Sequence, residues 1–411
     1  MLPDISKDFL FNNLPVIFHD GEYIIYSPFE KKLVKVKNFN KKFLQEHLSV
    51  KFFGTPKKRE LKLKYGHLSI ITTTDCNLRC EYCFANGGEK PIYIDEEISF
   101  KAIDELTRKD IDDLEVTFFG GEPTMNMGIV KKVVEYCKNK NVKAHFDITT
   151  NGVINTEKAN FLLDNKFNVT ISVDGPPVIQ SKIRKSVSGN DVTKVIENTM
   201  SILAKAPERL KARVTITNTN ISYMPEIVKY AARFGIKYIH FAAVNITGRA
   251  KSATDMQPSA HSYASGFIES MSMAKKLGVS VTDEGLIYLL QPATSFCSST
   301  AKTKLIVTPD DSISTCLEIQ SCDAENNLFI IGKYNRLTKE FEYNDDKINN
   351  LKCLDVDKIK ECEICPWKYI CSSGCPIRNI VKTNDIYKPN DYYCTIKKYI
   401  LHEVVSRMSI R

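Results

Sequence analysis

Thr74-Asp75-Cys76-Asn77-Leu78-Arg79-Cys80-Glu81-Tyr82-Cys83-Phe84 is the stretch from which the rest of this chain can be read. Its cysteines are spaced C-x3-C-x2-C, and it directly follows Leu68–Thr73, a short apolar run with strand character. Three thiolates on one loop can hold three corners of a 4Fe–4S cube and leave one iron without a protein ligand. An open metal position is where chemistry takes place. The same three residues could instead belong to a zinc knuckle that lacks its fourth ligand.

Working outward, strand and helix patterns alternate. Strands are expected at Leu68–Thr73, Leu114–Phe119, His145–Thr149, Val169–Val173, Arg213–Thr217 and Tyr238–Val244. Amphipathic helices are expected at Glu96–Arg108, Ile129–Lys138, Glu157–Asn165, Val192–Ala204 and Met224–Phe234. Six βα units in series imply an α/β fold with a parallel sheet and helices outside, either a partial barrel or an open sheet. Sites in such folds lie beyond the carboxyl ends of the strands, which is where the cysteine loop falls. Residues 1–66 read as a small α+β unit: a hairpin of Leu14–His19 and Glu22–Ser27 around Asp20-Gly21, a strand at Lys32–Lys37 and a helix at Lys41–Leu48. The basic segment Phe52–Lys64 reads as a linker. After about 285 the rhythm stops. Residues 285–411 form a loop-rich region that metal sites are expected to hold together, closed by a helix at Tyr392–Arg407.

The chain has 411 residues, 43% hydrophobic and 26% charged, the composition of an ordinary globular protein, and two or three domains are expected. No apolar run reaches the roughly 20 residues a membrane span needs, and no secretory signal is visible, so the cytoplasm is the expected compartment and no membrane partner is expected. The net charge of +8 is spread along the chain, which reads as a solvated surface with no nucleic-acid partner. Thirteen cysteines are too many for chance in such a protein. Where disulfides are disfavoured, grouped cysteines more often bind metal. Three lie between 76 and 83 and nine between 297 and 394, leaving Cys137 isolated, as a small buried apolar residue on a helix.

The C-x3-C-x2-C loop resembles that of the radical SAM superfamily. The resemblance implies a partial (β/α)6 TIM-like barrel over 67–284. It also implies a 4Fe–4S cluster on Cys76, Cys80 and Cys83 whose open iron chelates S-adenosylmethionine (SAM), and a 5′-deoxyadenosyl radical after reductive cleavage. Gly120-Gly121-Glu122-Pro123 ends the second strand and resembles the family's GGEP motif, with Glu122 facing the SAM ammonium group. Thr150-Asn151-Gly152 ends the third strand and Ser172-Val173-Asp174-Gly175 the fourth. Asn151 is similar to family positions that line the pocket, and Ser172 and Asp174 suit the ribose hydroxyls. Arg184 stands where relatives place an arginine near the cofactor carboxylate. Tyr82 and Phe84 are candidates to contact adenine, or alternatively pack in the core. Arg213 is a further pocket candidate. Asn151 and Asp174 are equally suited to capping and turn roles.

Cys362-x2-Cys365-x5-Cys371-x3-Cys375, followed by Cys394, resembles the SPASM extension, a C-terminal module with two auxiliary 4Fe–4S clusters; structural zinc is the alternative. The resemblance assigns Cys362, Cys365, Cys371 and Cys394 to an outer cluster and Cys297, Cys316 and Cys375 to an inner one. The fourth inner ligand is Cys322 in preference to Cys353, or the inner iron is open. Gly248-Arg249-Ala250 also recurs in SPASM relatives. Asp311 and Ser373 replace glycines common in them.

Such enzymes mostly modify peptides. The implied partners are a Cys-containing precursor peptide and an electron donor such as flavodoxin or ferredoxin. Sulfatase-maturing relatives carry an Asp immediately after the second inner-cluster cysteine, where this chain has Leu317 and then Glu318. The expected reaction is therefore thioether cross-linking of a ribosomally made peptide, of sactipeptide or ranthipeptide kind, ahead of carbon–carbon linkage or formylglycine formation. Glu318, Asp310 and Asp323 are the candidate bases, with solvated loop carboxylates as the alternative. Residues 1–66 either bind the leader peptide as an added strand or simply cap the molecule.

Overall fold

A computed structural model of the chain describes residues 2–57, 65–108, 113–286, 289–297, 304–321 and 327–408. Near the amino terminus, β1 (Phe9–Phe11), β2 (Leu14–His19), β3 (Glu22–Ser27) and β4 (Lys32–Val36) form an antiparallel sheet in the order β1-β2-β3-β4. The β2–β3 hairpin turns on Asp20 and Gly21, both at positive φ (49° and 81°), as a two-residue turn matched to strand twist requires. A helix at Lys41–His47 follows, capped by Asn40, and a further short helix at Val50–Phe53 runs into the first two residues of the segment expected to be linker.

Seven parallel strands come next: β5 (Tyr65–Thr73), β6 (Asp113–Gly120), β7 (Ala144–Thr150), β8 (Asn168–Ser172), β9 (Leu210–Ile216), β10 (Tyr238–Ala243) and β11 (Ser280–Thr282). All six expected strands are present, and β11 is additional. The crossover helices include Glu96–Thr107, Met127–Asn139, Thr156–Asp164, Thr193–Leu203 and Met224–Arg233. Each starts or faces inward for a local reason. Asp95 caps the first of them through the Ile98 amide, and Ile98, Ala102 and Ile103 of that helix form its buried stripe. Cys137 is 1% exposed in the Met127–Asn139 helix, as a small core residue.

The sheet does not end where the βα rhythm stops. β12 (Lys304–Val307) pairs parallel to β5, and β13 (Ser312–Ser314), β14 (Ile330–Asn335) and β15 (Glu340–Tyr343) continue antiparallel from it. Among the described residues this gives one eleven-stranded sheet, β11-β10-β9-β8-β7-β6-β5-β12-β13-β14-β15. The C-terminal region thus has apolar packing of its own, through Val307, Ile313, Phe329, Ile396 and Ile400, all part of the main core. Sequence patterning understated this because β12 and β13 are short and are buried throughout or nearly so, leaving no clear alternation to read.

The closing helix runs Asp391–Ser406. Against its Leu401 and Val405, and against Trp367 and Ile370, pack Ile17, Ile24 and Tyr26 of the N-terminal sheet. His402 Nδ1 and Asp8 Oδ2 lie 2.8 Å apart in that contact, both buried. The N-terminal sheet therefore sits on the C-terminal cysteine region. Among the described residues, no helix is long and apolar enough to cross a membrane.

Candidate cysteine-lined active site

The first cysteine loop leaves the carboxyl end of β5 and is gripped on all sides. Gly121 N donates to Thr73 O and Glu122 N to Asp75 O, both at 2.8 Å, so the GG segment after β6 lies directly on the loop. Gly121 admits no side chain: a Cβ there would come within 2.2 Å of Asp75 O. Arg79 folds back to donate to Cys76 O (2.6 Å) and Gly88 O (2.9 Å). From beyond β10, Arg249 N donates to Cys83 O and Arg249 Nε to Cys80 O, each at 3.0 Å. Gly248 makes that approach possible, at φ +53° and with no space for a Cβ beside Cys83 O. The clamping roles of Arg79 and Arg249 were not read from the sequence, because carbonyl partners leave no compositional trace.

The three thiols are close enough to repel one another as thiolates. Burial, then the Glu122 carboxylate, and then Cys80 and Cys83 push Cys76 up to about 12. Burial raises Cys80 as well, against the pull of Arg184. Such thiols give up their protons to a metal. Amide groups point at the sulfurs: Leu78 N at 3.4 Å and Asn151 Nδ2 at 3.7 Å from Cys76 Sγ, and Gly87 N at 3.4 Å from Cys83 Sγ. Donors to sulfur suit a cluster-bound thiolate. The donor set fits a cube held at three corners.

Glu122 is fully buried at the join of β6 and β7. Its Oε1 accepts from Thr124 N (3.1 Å), Thr124 Oγ1 (2.7 Å) and Thr150 Oγ1 (2.8 Å), and its Oε2 from Asn151 N (2.7 Å). The carboxylate thus ties the strand ends together beside the cysteine loop. Gly120 and Pro123 flank it. Asn151 also donates to Asn77 Oδ1 at 2.7 Å, linking β7 to the loop. Tyr82, Asp174 and Arg184 converge: Tyr82 donates to Asp174 Oδ2, Arg184 Nη1 donates to Tyr82 Oη, and Arg184 stands 3.4 Å from Asp174. Asp174 Oδ1 accepts from Thr215 N at 2.8 Å. These three side chains hold one another behind Cys80. Ser172 ends β8 and is half-buried, as is Phe84.

The C-terminal cysteines separate into two sets. Cys362, Cys365, Cys371 and Cys394 line one cavity together with Trp367, Lys368, Lys397 and Lys398. Burial, with Cys371 and Cys365 next, raises Cys394 to about 12. Cys316 and Cys375 form the other set with Cys297. Burial raises both thiols, followed by Glu318, and each also feels Cys297. Cys353 is exposed at the end of the Asp345–Lys352 helix. Cys322 and Asp323 lie outside the described residues. Asp311 and Ser373, expected to stand where similar chains carry glycines, both adopt the left-handed region at φ 63° and 65°. That conformation explains the glycine preference, and Asp tolerates it better than most residues.

Glu318 stands beside Cys316 and Cys375, where burial raises its carboxyl above the ordinary range and Arg378 opposes this. Asn245, just past β10, donates to it at 3.4 Å. Glu284 is close by. Although burial works against it, Arg378 and Arg213 hold its carboxyl at about 2. Arg213, within β9, stands 3.6 Å from Glu284. Asp310 does something else: its Oδ1 accepts from Thr308 Oγ1 (2.6 Å) and Ser312 N (3.3 Å), fixing the turn between β12 and β13.

The Radical SAM superfamily model matches residues 70–226. Uncharacterized protein MJ0907 of Methanocaldococcus jannaschii is 33% identical over 178 residues, 43% of this chain and 61% of that protein, so the chain spans less than two thirds of that relative. The cysteine-type anaerobic sulfatase-maturating enzyme of Clostridium perfringens is 23% identical over 360 residues, 82% of this chain and 95% of that protein. Among solved structures, native anSMEcpe with bound AdoMet matches with a TM-score of 0.67 at 21% identity, covering 84% of this chain and 100% of that one. Streptococcus suis SuiB bound to precursor peptide SuiA matches with a TM-score of 0.59 at 13% identity, covering 94% and 99%. These likenesses show a partial-barrel fold. The motif-bearing strand ends lie within residues 70–226, the span that matches the Radical SAM superfamily model, and that family implies a 4Fe–4S cluster and S-adenosylmethionine.

Proposed function

We propose that this protein is a SPASM-type radical SAM enzyme that oxidatively modifies a peptide, forming a thioether from a Cys of its substrate. The observation that carries the reading is the collection of Cys362, Cys365, Cys371 and Cys394 around one cavity, with Cys297, Cys316 and Cys375 grouped separately next to Glu318. Two cysteine sets beside a radical SAM barrel suit two auxiliary clusters. The donor set alone also suits zinc, but zinc carries no electrons. When bound, the clusters and SAM supply a 5′-deoxyadenosyl radical that takes a hydrogen atom and an acceptor for the electron left over.

The chain's own residues would do the rest. Cys76, Cys80 and Cys83 hold the SAM-binding cluster, with Arg79, Arg249 and Asn151 keeping their loop rigid. Glu122, Ser172, Asp174 and Arg184 frame the SAM pocket. Glu318 is the candidate to accept the proton of the substrate thiol, being half-buried beside Cys316 and bonded to Asn245. Asp310 is the weaker candidate, since two bonds tie it into a turn. Fold-level likeness to SuiB over 94% of this chain supports a peptide as substrate. Leu317 in place of an Asp after Cys316 weighs against formylglycine formation. The near-full-length relationship to a cysteine-type sulfatase-maturating enzyme keeps that reaction as the second reading.

The test is anaerobic, with reconstituted and reduced protein, SAM, and a short Cys-rich peptide encoded beside its gene. Release of 5′-deoxyadenosine with a peptide lighter by a pair of hydrogens is the expected result. Conversion of a cysteine in a sulfatase peptide to an aldehyde, with loss of two hydrogens and exchange of the sulfur for oxygen, would favour the second reading. No 5′-deoxyadenosine with any substrate would sink both.

A further inference from the structure

Lys397 belongs to the closing helix, one turn beyond Cys394, and is only 4% exposed. Its Nζ is buried and has no hydrogen-bond partner among the described residues. The side chain helps line the cavity of Cys362, Cys365, Cys371 and Cys394, and its Nζ lies 4.9 Å from the centre of the Phe296 ring. Gly285 also lies against it, where a Cβ would come within 3.2 Å of Nζ. The Asp283 and Glu284 carboxylates feel its charge, but neither bonds Nζ: Asp283 accepts from Gly285 N at 2.8 Å and from Tyr263 Oη at 3.4 Å, and Glu284 is paired with Arg378 and Arg213. An ammonium group taken out of water without an acceptor is costly, so such a group is ordinarily paired with an anion.

We infer that Lys397 is the buried counter-charge of an anionic iron–sulfur cluster in this cavity, and that it sets the reduction potential of that cluster. The inference rests on the cluster assignment proposed above. A cluster ligated by four thiolates is net negative and gains a further negative charge on reduction. A fixed positive charge in a low-dielectric setting favours the reduced form and raises the potential. The other lysines at the cavity are less suited to this. Lys398 is exposed to solvent, and Lys368 is paired with Asp357 at 2.6 Å. Lys397 acts through the cluster as a positioning residue for electrons, raising the driving force for their arrival from the substrate side.

The experiment is an anaerobic redox titration of the reconstituted full chain, followed by electron paramagnetic resonance. The signal lost in Cys394→Ala identifies the cluster in question. Lys397→Met and Lys397→Gln are expected to move the midpoint potential of that signal to more negative values while leaving the SAM-binding cluster unmoved. Lys397→Arg is expected to restore it, and Lys398→Met to shift it far less. Should Lys397→Met and Lys397→Gln fail to hold the cluster while Lys397→Arg retains it, the charge requirement stands. An unchanged potential in Lys397→Met with full iron content overturns the inference, as does an equal shift of every cluster or loss of the cluster in Lys397→Arg. If Cys394→Ala removes neither iron nor signal from the protein, the cavity holds no cluster, and the cluster assignment fails together with the inference.

Discussion

Cys76, Cys80 and Cys83 sit on one loop at the end of β5, whereas the four thiols of the C-terminal cavity come from separate pieces of chain. Cys362 ends a turn at Lys360–Cys362, Cys371 ends the short helix Lys368–Cys371, Cys394 lies in the closing helix and Cys365 stands in a loop. The first group is held by backbone contacts from β6, from the Gly248–Ala250 segment and from Arg79, all clustered at the sheet's carboxyl edge. The second is held by apolar packing. Trp367, Ile370, Leu401 and Val405 bring its elements together against Ile17, Ile24 and Tyr26 of the N-terminal sheet. A loop site of this kind depends on strand ends that the barrel fixes anyway. The cavity site depends on a distant segment of the chain staying in place, so the two should fail under different insults.

The largest effect should come from the loop itself. Cys80→Ala is expected to abolish 5′-deoxyadenosine release, measured chromatographically under reducing anaerobic conditions, while the iron proposed for the C-terminal cysteines remains. Loss of iron from both regions would break the comparison. Next comes the packing of the cavity site. Trp367 is 1% exposed, and Trp367→Ala is expected to cost about 3–5 kcal/mol in anaerobic denaturant unfolding. Iron should be lost from the C-terminal region before the first loop. Equal loss from both would show that the two regions fold as one.

A smaller effect should follow at the contact between the N-terminal sheet and the closing helix. His402→Ala leaves the buried Asp8 carboxylate without its 2.8 Å partner, and a cost of about 1–3 kcal/mol is expected, read as a lower thermal midpoint. The iron proposed for the C-terminal cysteines should become easier to chelate, with SAM cleavage unchanged. Smallest of all is Arg336→Ala. Arg336 bonds Asp311 and Asp95 and so joins the β12–β13 turn to the first crossover helix. It is 46% exposed, so the change should cost no more than about 1 kcal/mol. A larger loss would mean that the left-handed turn at Asp311 needs this partner.

The barrel was legible because each strand and crossover helix carries its own period, and the six expected strands differ from the observed ones only at their ends. β11 and β12 escaped notice because runs of three and four residues carry too little pattern. The Gly120–Pro123 and Asn151 motifs were legible as motifs. That Glu122 is bonded on both oxygens to strand-end groups, or that Tyr82, Asp174 and Arg184 bind one another, depends on side chains distant in the chain meeting after folding. Phe52 and Phe53, the end of the short Val50–Phe53 helix, read as linker because the Gly-Thr-Pro break follows them at once.

By itself the amino-acid order determined the βα succession, the C-x3-C-x2-C loop and the cysteine spacing, because these are written in local periods and short separations. Only the tertiary structure decided that β12 extends the barrel sheet and that the N-terminal sheet covers the C-terminal cysteines. It alone brought the buried amine of Lys397 to the cavity of Cys362, Cys365, Cys371 and Cys394. These outcomes depend on which apolar faces find one another, a choice made by the whole chain at once, and burial of a charge has no signature until that choice is made.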